Sequence, residues 1–347
     1  MASGSIMRAA TRTPVLNAAA VGLALAVLLL PGLARAAENC TSAFPKSGWQ
    51  TVTVHSGGLD RRVPLYVPTS GAGRSQLPLV FDLHGSGGNG GRQALHSGLS
   101  AQADHHEFLL ANPDGGIADP ASPTDKFFWN LPGVPLIGNV PIPANAPDEV
   151  QFFRDAIDQI GRSGCIDAHR VYVTGFSGGA RMASWLACEL ADRIAAVAPV
   201  AGLRAGVPRA GDTTTPDAPT CTPPHPVPII TFHGVHDPTN RYAGDAQRRW
   251  GYSVPTALRR WATLDGCQEA ASEQQVSTHV TRVSYRGCRD GAELILYRTD
   301  APPDHGGGHI WPHPTPATSS SSASAVEVVD QLDASELIWE FFARHRS

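Results

Sequence analysis

The segment Arg170-Val-Tyr-Val-Thr-Gly-Phe-Ser-Gly-Gly-Ala180 decides the fold of this chain. It begins with a short β-branched run, continues with Gly-x-Ser-x-Gly centred on Ser177, and leads into residues with helical spacing. Gly175 and Gly179 stand where a side chain would collide across a tight turn, and glycine avoids that collision. The pattern predicts a strand, a sharp turn and a helix that raise the Ser177 hydroxyl above the edge of a sheet, so Ser177 is the candidate nucleophile.

Short apolar runs recur along the chain with helical stretches between them, which is typical of a mostly parallel sheet covered by helices on both faces. These runs are Leu79–Leu83, Phe108–Ala111, Val171–Thr174, Ala195–Val200, Val227–Phe232 and Glu293–Arg298. Two further runs, Gln50–Val54 and Val63–Val67, joined through Gly57-Gly58, predict an opening antiparallel pair. The predicted fold class is therefore α/β.

Helical spacing supports the same class. Val150, Phe153, Ile157 and Ile160 follow the spacing of one helix face. Near the end of the chain, Asp333-Ala-Ser-Glu336 predicts an N-cap and capping box ahead of a final helix.

Residues 1–36 have the pattern of a targeting segment. Arg8 and Arg12 precede the apolar run Val21–Leu30, and Ala34-Arg35-Ala36 supplies small residues for cleavage. The apolar run is too short to span a bilayer. We therefore expect a signal peptide over 1–36 and a single catalytic domain over 37–347. That domain would be exported to the medium or the periplasm, monomeric and without membrane contact once the signal is removed.

Charge and cysteine content restrict the class further. The chain has 27 Lys and Arg against 31 Asp and Glu, a formal net charge of −4, which argues against a nucleic-acid partner. Six cysteines in an exported chain predict a disulfide framework, and none of them forms a C-x-x-C pair. Proximity along the sequence suggests the pairs Cys267–Cys288 and Cys188–Cys221, which leaves Cys40–Cys165.

An acid and a base for Ser177 follow two of the later apolar runs. Asp237 comes after Val227–Phe232, and His309 lies in the glycine-rich segment after Glu293–Arg298. The chain order serine, acid, histidine is that of one arrangement of the catalytic triad. His305 and His313 compete with His309 for the role of base, and we favour His309 because the others have the character of polar surface residues.

A glycine-rich segment, His84-Gly-Ser-Gly-Gly-Asn-Gly90, follows the first apolar run of the sheet. Backbone N–H groups of Ser86 and Gly178 are the candidate donors of an oxyanion hole. An alternative interpretation is a dinucleotide fingerprint, Gly85-x-Gly87-x-x-Gly90, with Asp114 ending the next strand. We disfavour it because a lone match is a weak signal, and we expect no cofactor.

Metal chemistry has little support in the sequence. His105-His106-Glu107 lies in a helix-like stretch, but adjacent histidines on a helix point in different directions and no third ligand is evident. We therefore predict no metal site.

The assembled motifs resemble the esterase family of polyhydroxybutyrate depolymerases and the related bacterial feruloyl and acetylxylan esterases, within the α/β-hydrolase superfamily. The resemblance extends from about Gly48 to Arg344 and rests on five segments. These are Leu83–Gly88, Arg170–Gly179, Phe232–Asp237, Gly306–Pro312 and Ala334–Phe342.

The resemblance implies a serine esterase that forms an acyl-enzyme, with Ser177, Asp237 and His309 at the triad positions. We favour a depolymerase acting on hydroxyalkanoate oligomers. A feruloyl or acetylxylan esterase and a peptidase of the same fold remain alternatives. The chain departs from the family at Gly178, where Asn or Ala is frequent, and it lacks the linker and polymer-binding domain of depolymerases that degrade crystalline polyester.

The long Pro-rich stretch between Asp114 and Asp148 contains Phe127-Phe-Trp-Asn130. Either it is a packed surface loop or it covers a substrate pocket. In the second case Trp129 and Trp311 would form an aromatic wall, with Tyr242 as a further pocket residue.

Overall fold

A ten-stranded mixed sheet organises the fold. The structure is a computed structural model that describes residue 1 and residues 43–303, 306–312 and 332–347. The strands are β1 (Gly48–Ser56), β2 (Leu59–Val67), β3 (Leu77–Leu83), β4 (Leu109–Ala111), β5 (Ile117–Ala118), β6 (Phe127–Phe128), β7 (Ile166–Phe176), β8 (Ala196–Val200), β9 (Pro208–Arg209), β10 (Asp212–Pro216), β11 (Ile229–Gly234), β12 (Ser272–Ser277), β13 (Val280–Tyr285) and β14 (Leu294–Thr299). The helices are α1 (Gly90–Ser97), α2 (Leu99–His106), α3 (Glu149–Gly164), α4 (Gly178–Glu189), α5 (Val254–Leu264) and α6 (Ala334–Phe342).

The strand order of the large sheet is β1-β2-β4-β3-β7-β8-β11-β14-β13-β12. The strands from β4 to β14 in this order pair in parallel. Alternate residues of β3 enter different apolar clusters: Leu79 and Phe81 belong to one, and Val80 belongs to the other. Because successive side chains of a strand point to opposite faces, both faces of this sheet are covered, which confirms the predicted fold class.

Antiparallel pairs close both edges of the sheet. The predicted opening pair is present as β1 and β2, and the tight connection uses Gly57 and Gly58, both at positive φ. The hairpin of β12 and β13 at the other edge was not predicted. Residues 272–276 of β12 are exposed, so the strand has no buried face and lacks an apolar pattern.

Polar side chains cap the start of the predicted helices. Asp148 accepts the backbone N–H of Gln151 at the start of α3. Asp333 accepts those of Ser335 and Glu336 at the start of α6, which confirms the predicted N-cap. The Glu336 carboxylate contacts His106 Nε2 at 3.0 Å, so the reciprocal bond of a capping box is not made. These caps stabilise the first turns of α3 and α6.

Two predicted disulfides are confirmed. Cys188 pairs with Cys221 and Cys267 pairs with Cys288. Cys165 is also disulfide-bonded, but its predicted partner Cys40 lies outside the described residues. The predicted signal segment also lies outside them, apart from residue 1. Among the helices that the structure describes, none has the length and apolar character needed to cross a bilayer.

Candidate active site

The turn between β7 and α4 holds Ser177 in an uncommon backbone conformation, φ 55° and ψ −108°. A non-glycine residue at such a position costs on the order of 1–3 kcal/mol, so the surroundings must enforce it. The N–H of Ser177 donates to the carbonyl of Val200 at 2.9 Å, and its own carbonyl accepts from Arg181 at 3.1 Å. These backbone hydrogen bonds anchor the turn to β8 and to the first turn of α4.

The glycines around Ser177 are required by close backbone approach. A Cβ at Gly179 would lie 2.1 Å from the carbonyl oxygen of Leu83, and one at Gly178 would lie 2.3 Å from Ser86 Oγ. The turn therefore packs directly against the end of β3 and the loop that follows it. This contact places Ser86 beside Gly178, the two residues proposed as oxyanion donors.

Asp237 lies in the loop after β11, and both of its carboxylate oxygens are engaged. One oxygen accepts the backbone N–H groups of Thr239 at 2.7 Å and Asn240 at 2.8 Å. The other accepts His309 Nδ1 at 2.6 Å. Burial raises the pKa of the Asp237 carboxyl, but the hydrogen bond and charge of His309 and the N–H of Asn240 outweigh it, so that the pKa is lowered overall.

His309 is presented by a glycine loop that packs on the end of β11. A Cβ at Gly234 would lie 2.1 Å from the carbonyl oxygen of Gly307, so glycine is needed where these two backbones touch. Because a carboxylate only accepts hydrogen bonds, the contact with Asp237 places the proton of a neutral His309 on Nδ1 and leaves the lone pair on Nε2. The histidine is thereby oriented as a base.

Ser177 lies close to this pair without being bonded to it. The ring of its neighbour Phe176 is 4.7 Å from the ring of His309, centre to centre. Among the described residues, Ser177 Oγ has no hydrogen-bond partner, and Ser177 is 8% exposed. The structure thus brings acid and histidine into direct contact and places the serine beside them. A hydrogen bond between Ser177 Oγ and His309 would need a side-chain or loop adjustment, because catalytic hydrogen bonds often tighten only when substrate binds.

His84, which sequence reasoning did not single out, organises the loop that carries Ser86. Its Nδ1 donates to the carbonyl of Gly85 at 2.7 Å, and its Nε2 accepts the N–H of Gly115 at 2.9 Å. Burial lowers the pKa of His84 to about 4, so the ring remains neutral at physiological pH. Its position directly after β3 was the available sequence signal.

Sequence reasoning also missed His233. This residue supports the loop after β11 that carries Asp237, which we call the acid loop. Its Nε2 donates to the carbonyl of Asn240 at 2.7 Å and lies 3.5 Å from Asp237 Oδ2. Burial lowers the pKa of His233 to about 4. A neutral imidazole at the end of β11 therefore fixes the loop geometry without adding a charge next to Asp237.

The structure does not place Trp129 and Trp311 in one aromatic wall. Both are buried, and they belong to different apolar clusters. Trp129 Nε1 donates to the carbonyl of His84 at 2.8 Å, and Trp311 Nε1 donates to Ser335 Oγ at 2.9 Å. Each indole is therefore used to support a loop of the site.

Tyr242, the third predicted pocket residue, is partly buried and packs against the apolar cluster that contains Trp129. Its ring lies 5.9 Å from the ring of His233, centre to centre. Burial raises the pKa of the Tyr242 hydroxyl. Tyr242 therefore lies in the stretch after β11 that also carries Asp237.

Two groups of contacts concern the dinucleotide-binding and metal-binding interpretations of the sequence. Asp114 accepts the backbone N–H of Gly90 at 2.7 Å, so this carboxylate already has a partner within the glycine-rich loop. The nitrogens of His105 and His106 lie within 4.8 Å of each other and of a carboxylate oxygen of Glu336. The sequence showed no third candidate ligand near the two histidines; the fold supplies one from α6.

The chain is similar in sequence to proteins that are named as esterases. The chain is 28% identical to "Feruloyl esterase B" of Piromyces equi over 255 residues, 72% of this chain and 42% of that protein. It is 25% identical to "Feruloyl esterase D" of Neurospora crassa over 337 residues, 93% of this chain and 96% of that protein. The chain thus spans less than half the length of the first relative and nearly all of the second. No family model matches the chain.

A solved structure with the same fold is the acetyl xylan esterase from Aspergillus awamori, with a TM-score of 0.54 and 16% identity over 85% of this chain and 99% of that one. The likeness confirms the α/β-hydrolase fold. The predicted class, a carboxylic ester hydrolase of the serine type, agrees with the printed names of the relatives. Among the substrate classes considered from sequence, the relatives fit the feruloyl alternative better than the favoured polyhydroxybutyrate depolymerase.

Proposed function

We propose that this chain hydrolyses feruloyl-type esters of plant polysaccharide through an acyl-enzyme, with Ser177 as nucleophile, His309 as general base and Asp237 as its orienting acid. The observation that carries the proposal is the 2.6 Å contact between His309 Nδ1 and Asp237 Oδ2 beside the strained turn at Ser177. That combination provides a base whose free nitrogen is Nε2 and a serine raised on a sharp turn.

The proposed reaction has two halves. Ser177 Oγ attacks the ester carbonyl carbon while its proton passes to His309 Nε2, and the N–H groups of Ser86 and Gly178 hold the developing oxyanion. Collapse of the tetrahedral intermediate breaks the bond to the alcohol, which leaves with the proton from His309. Water then attacks the acyl group with His309 again as base, and the acid is released. Each oxyanion donor contributes about 3–4 kcal/mol to transition-state stabilisation in enzymes of this type.

The choice of substrate class rests on the relatives, both of which are named feruloyl esterases. We further propose that the catalytic domain covers residues 37–347, follows a cleaved signal over 1–36, and acts outside the cytoplasm. The disulfides Cys188–Cys221 and Cys267–Cys288 support an oxidising compartment.

A test compares the mature protein with its Ser177→Ala variant on four substrates: methyl ferulate, acetylated xylan, 3-hydroxybutyrate oligomers, and a feruloyl amide. We expect methyl ferulate to be cleaved with the highest kcat/KM, the amide to be left intact, and the Ser177→Ala variant to be inactive on all of them. Ser163→Ala is the matched control, because Ser163 is an exposed serine on α3 whose hydroxyl donates to the carbonyl of Gln159.

Two results would contradict the proposal. Full activity of the Ser177→Ala variant would exclude Ser177 as the nucleophile. Preference for 3-hydroxybutyrate oligomers over methyl ferulate would return the substrate assignment to the depolymerase class.

A further inference from the structure

Two histidines and a glutamate from distant parts of the chain meet where α2 contacts α6. His105 and His106 are the last two residues of α2, and Glu336 lies in the first turn of α6. A ring nitrogen of each histidine and a carboxylate oxygen of Glu336 all lie within 4.8 Å of one another. The sequence predicts no metal site, because no third ligand is evident near the histidines and Glu336 is 230 positions away from His106. The fold therefore brings together three groups that all bind metal ions.

The distances within this cluster are close to those between ligands of one ion. His106 Nε2 lies 3.2 Å from His105 Nδ1, and it lies 3.0 Å and 3.2 Å from the two oxygens of Glu336. Zn²⁺ binds nitrogen and oxygen at about 2.0–2.2 Å, so two of its ligands at a tetrahedral angle are about 3.3–3.6 Å apart. The third side of the triangle, between His105 and Glu336, is at most 4.8 Å long. A shift of about 1.5 Å or less in the exposed His105 ring would close it.

Hydrogen bonds alone serve this arrangement poorly. The Nε2 atom of His106 carries either one proton or one lone pair, but three polar atoms of His105 and Glu336 lie within 3.2 Å of it. With a proton, Nε2 can direct it well at only one of these atoms. With a lone pair, Nε2 faces the lone pairs of a carboxylate that only accepts. A cation between the three side chains attracts the lone pairs of all of them at once.

Packing holds the ring of His106 in place. It stacks on the ring of Trp339 with 5.5 Å between centres, and Trp339 stacks on Phe108 at 4.4 Å. Trp339 follows Glu336 by three positions in α6, so one helix supplies both a ligand and the platform for a second ligand. A ligand whose orientation is already fixed loses less conformational freedom when it binds.

We propose that His105, His106 and Glu336 bind a divalent transition-metal ion, and that Zn²⁺ fits the site best. Two imidazole nitrogens and one carboxylate oxygen form a ligand set that suits Zn²⁺, whereas Ca²⁺ and Mg²⁺ prefer oxygen ligands throughout. The carboxylate of Glu107, next to the histidines, pairs with Arg74. Three protein ligands therefore bind the ion, and water completes its tetrahedral coordination.

The ion would join α2 to the part of α6 that supports the loop of His309. Ser335 stands next to Glu336 at the start of α6. Its hydroxyl accepts Trp311 Nε1 at 2.9 Å and donates to the carbonyl of Ser97 at 2.6 Å. Trp311 follows His309 by two positions. We therefore expect bound Zn²⁺ to stabilise α6 and its contact with α2.

Calorimetric titration of the mature protein, prepared without an affinity tag, tests the site with Zn²⁺. We expect saturable binding in the micromolar range that is at least about tenfold weaker in His105→Gln and in Glu336→Gln, since each removes one ligand. His279→Gln is the matched control. His279 lies 3.4 Å from the carboxylate of Asp300 but belongs to no group of three potential ligands among the described residues. Its replacement should leave the Zn²⁺ affinity unchanged.

Thermal stability and hydrogen exchange report on the link between the two helices. At a free Zn²⁺ concentration about 100 times Kd, the thermal midpoint of the wild type should rise by a few degrees. Deuterium uptake of α2 and α6 should fall under the same conditions. Both effects should be absent in His105→Gln and Glu336→Gln and present in His279→Gln. Ca²⁺ at the same concentration should produce neither effect.

Three results would overturn the proposal. They are no saturable binding of Zn²⁺, unaltered affinity in both ligand variants, and stabilisation by Ca²⁺ equal to that by Zn²⁺. Zn²⁺ binding that leaves deuterium uptake of α6 unchanged would refute the link between the helices. The ligand variants alter different helices, so failure of one to fold leaves the other as a test. None of these measurements depends on whether the protein cleaves esters.

Discussion

At the scale of single residues, the orientation of His309 depends on one carboxylate. Asp237 binds Nδ1 of His309 and is itself held by two backbone N–H groups. In Asp237→Asn the amide can present an N–H to the imidazole, which favours the tautomer with the proton on Nε2 and removes the base. We predict that kcat/KM for methyl ferulate falls by about 10³–10⁴-fold with KM little changed, measured by steady-state kinetics.

Asp290→Asn is the control for that change, because Asp290 is exposed in the turn before β14 and its positive φ suits asparagine. The control should retain full activity. A loss smaller than about tenfold in Asp237→Asn would show that Asp237 does not orient the base.

Gly178 illustrates a second constraint at the residue scale. A Cβ there would lie 2.3 Å from Ser86 Oγ and 2.8 Å from Ser86 N, so Gly178→Ala must push the two proposed oxyanion donors apart. Alanine favours the helix and is frequent at this position in the resembled family, so the fold should survive. Because the added Cβ would displace the Ser86 N–H in this chain, kcat should fall by about tenfold. Activity is measured together with the circular dichroism spectrum and the thermal midpoint.

Gly161→Ala in α3 is the matched control, since its Cβ would meet the nearest side-chain atom of Ile166 at an ordinary 3.5 Å. Both variants should melt within a few degrees of the wild type. Wild-type kcat in Gly178→Ala would mean that the donors are not where the proposal puts them.

At the scale of elements, the disulfide Cys188–Cys221 ties the end of α4 to the segment between β10 and β11. It closes a loop with a sequence separation of 33 residues. Loop-closure entropy for that length corresponds to about 3–4 kcal/mol. We predict that Cys188→Ala combined with Cys221→Ala lowers the free energy of unfolding by about that amount, measured by urea denaturation. No loss of stability would imply that strain in the native bond cancels its entropic benefit.

A second prediction at this scale concerns packing of β3 against α1. Asp82 is completely buried in β3 and accepts from Gln93 Nε2 at 2.8 Å and Ser97 Oγ at 2.7 Å, both in α1. Burial raises the pKa of its carboxyl to about 7, although these donors oppose the shift. The unfolded chain titrates near pH 4, so the folded state binds this proton more tightly.

The contribution of Asp82 is therefore most favourable below about pH 4 and is lost as the pH rises to about 7. Asp82→Asn removes the titration. We predict that the free energy of unfolding of the wild type, relative to this variant, falls by up to about 4 kcal/mol between pH 4 and pH 8. Parallel stability curves for the two proteins would show that Asp82 remains ionised in the folded state.

At the scale of the whole molecule, the buried parts of the fold were the predictable ones. The parallel strands are apolar on both faces, so β3, β8, β11 and β14 stand out as continuous runs. The hairpin of β12 and β13 did not stand out in the sequence, because an edge strand can be polar. The start of helix α1 was not predicted, because the helix begins with Gly90-Gly91 and glycine is a poor helix former. Asn89 caps this helix by accepting the N–H of Arg92.

The candidate site shows the same division between local pattern and long-range assembly. Ser177, Asp237 and His309 could be nominated because each follows a strand whose apolar run is visible. Trp129 and Trp311 were assigned to a pocket because aromatic residues in loops suggest one, but burial shows that they support loops instead. Arg181 of α4 and Arg204 after β8 both donate to the main-chain carbonyl of Arg249, and no local pattern could reveal that these distant segments meet.

The central claim is that Ser177 forms the acyl-enzyme, and covalent labelling tests it most directly. The mature protein is treated with an alkyl phosphonate carrying a p-nitrophenyl leaving group, and the modified peptide is identified by mass spectrometry. The account predicts one adduct, on Ser177, that forms as activity is lost and is absent from Ser177→Ala. An adduct on another residue, or loss of activity without modification of Ser177, would contradict it.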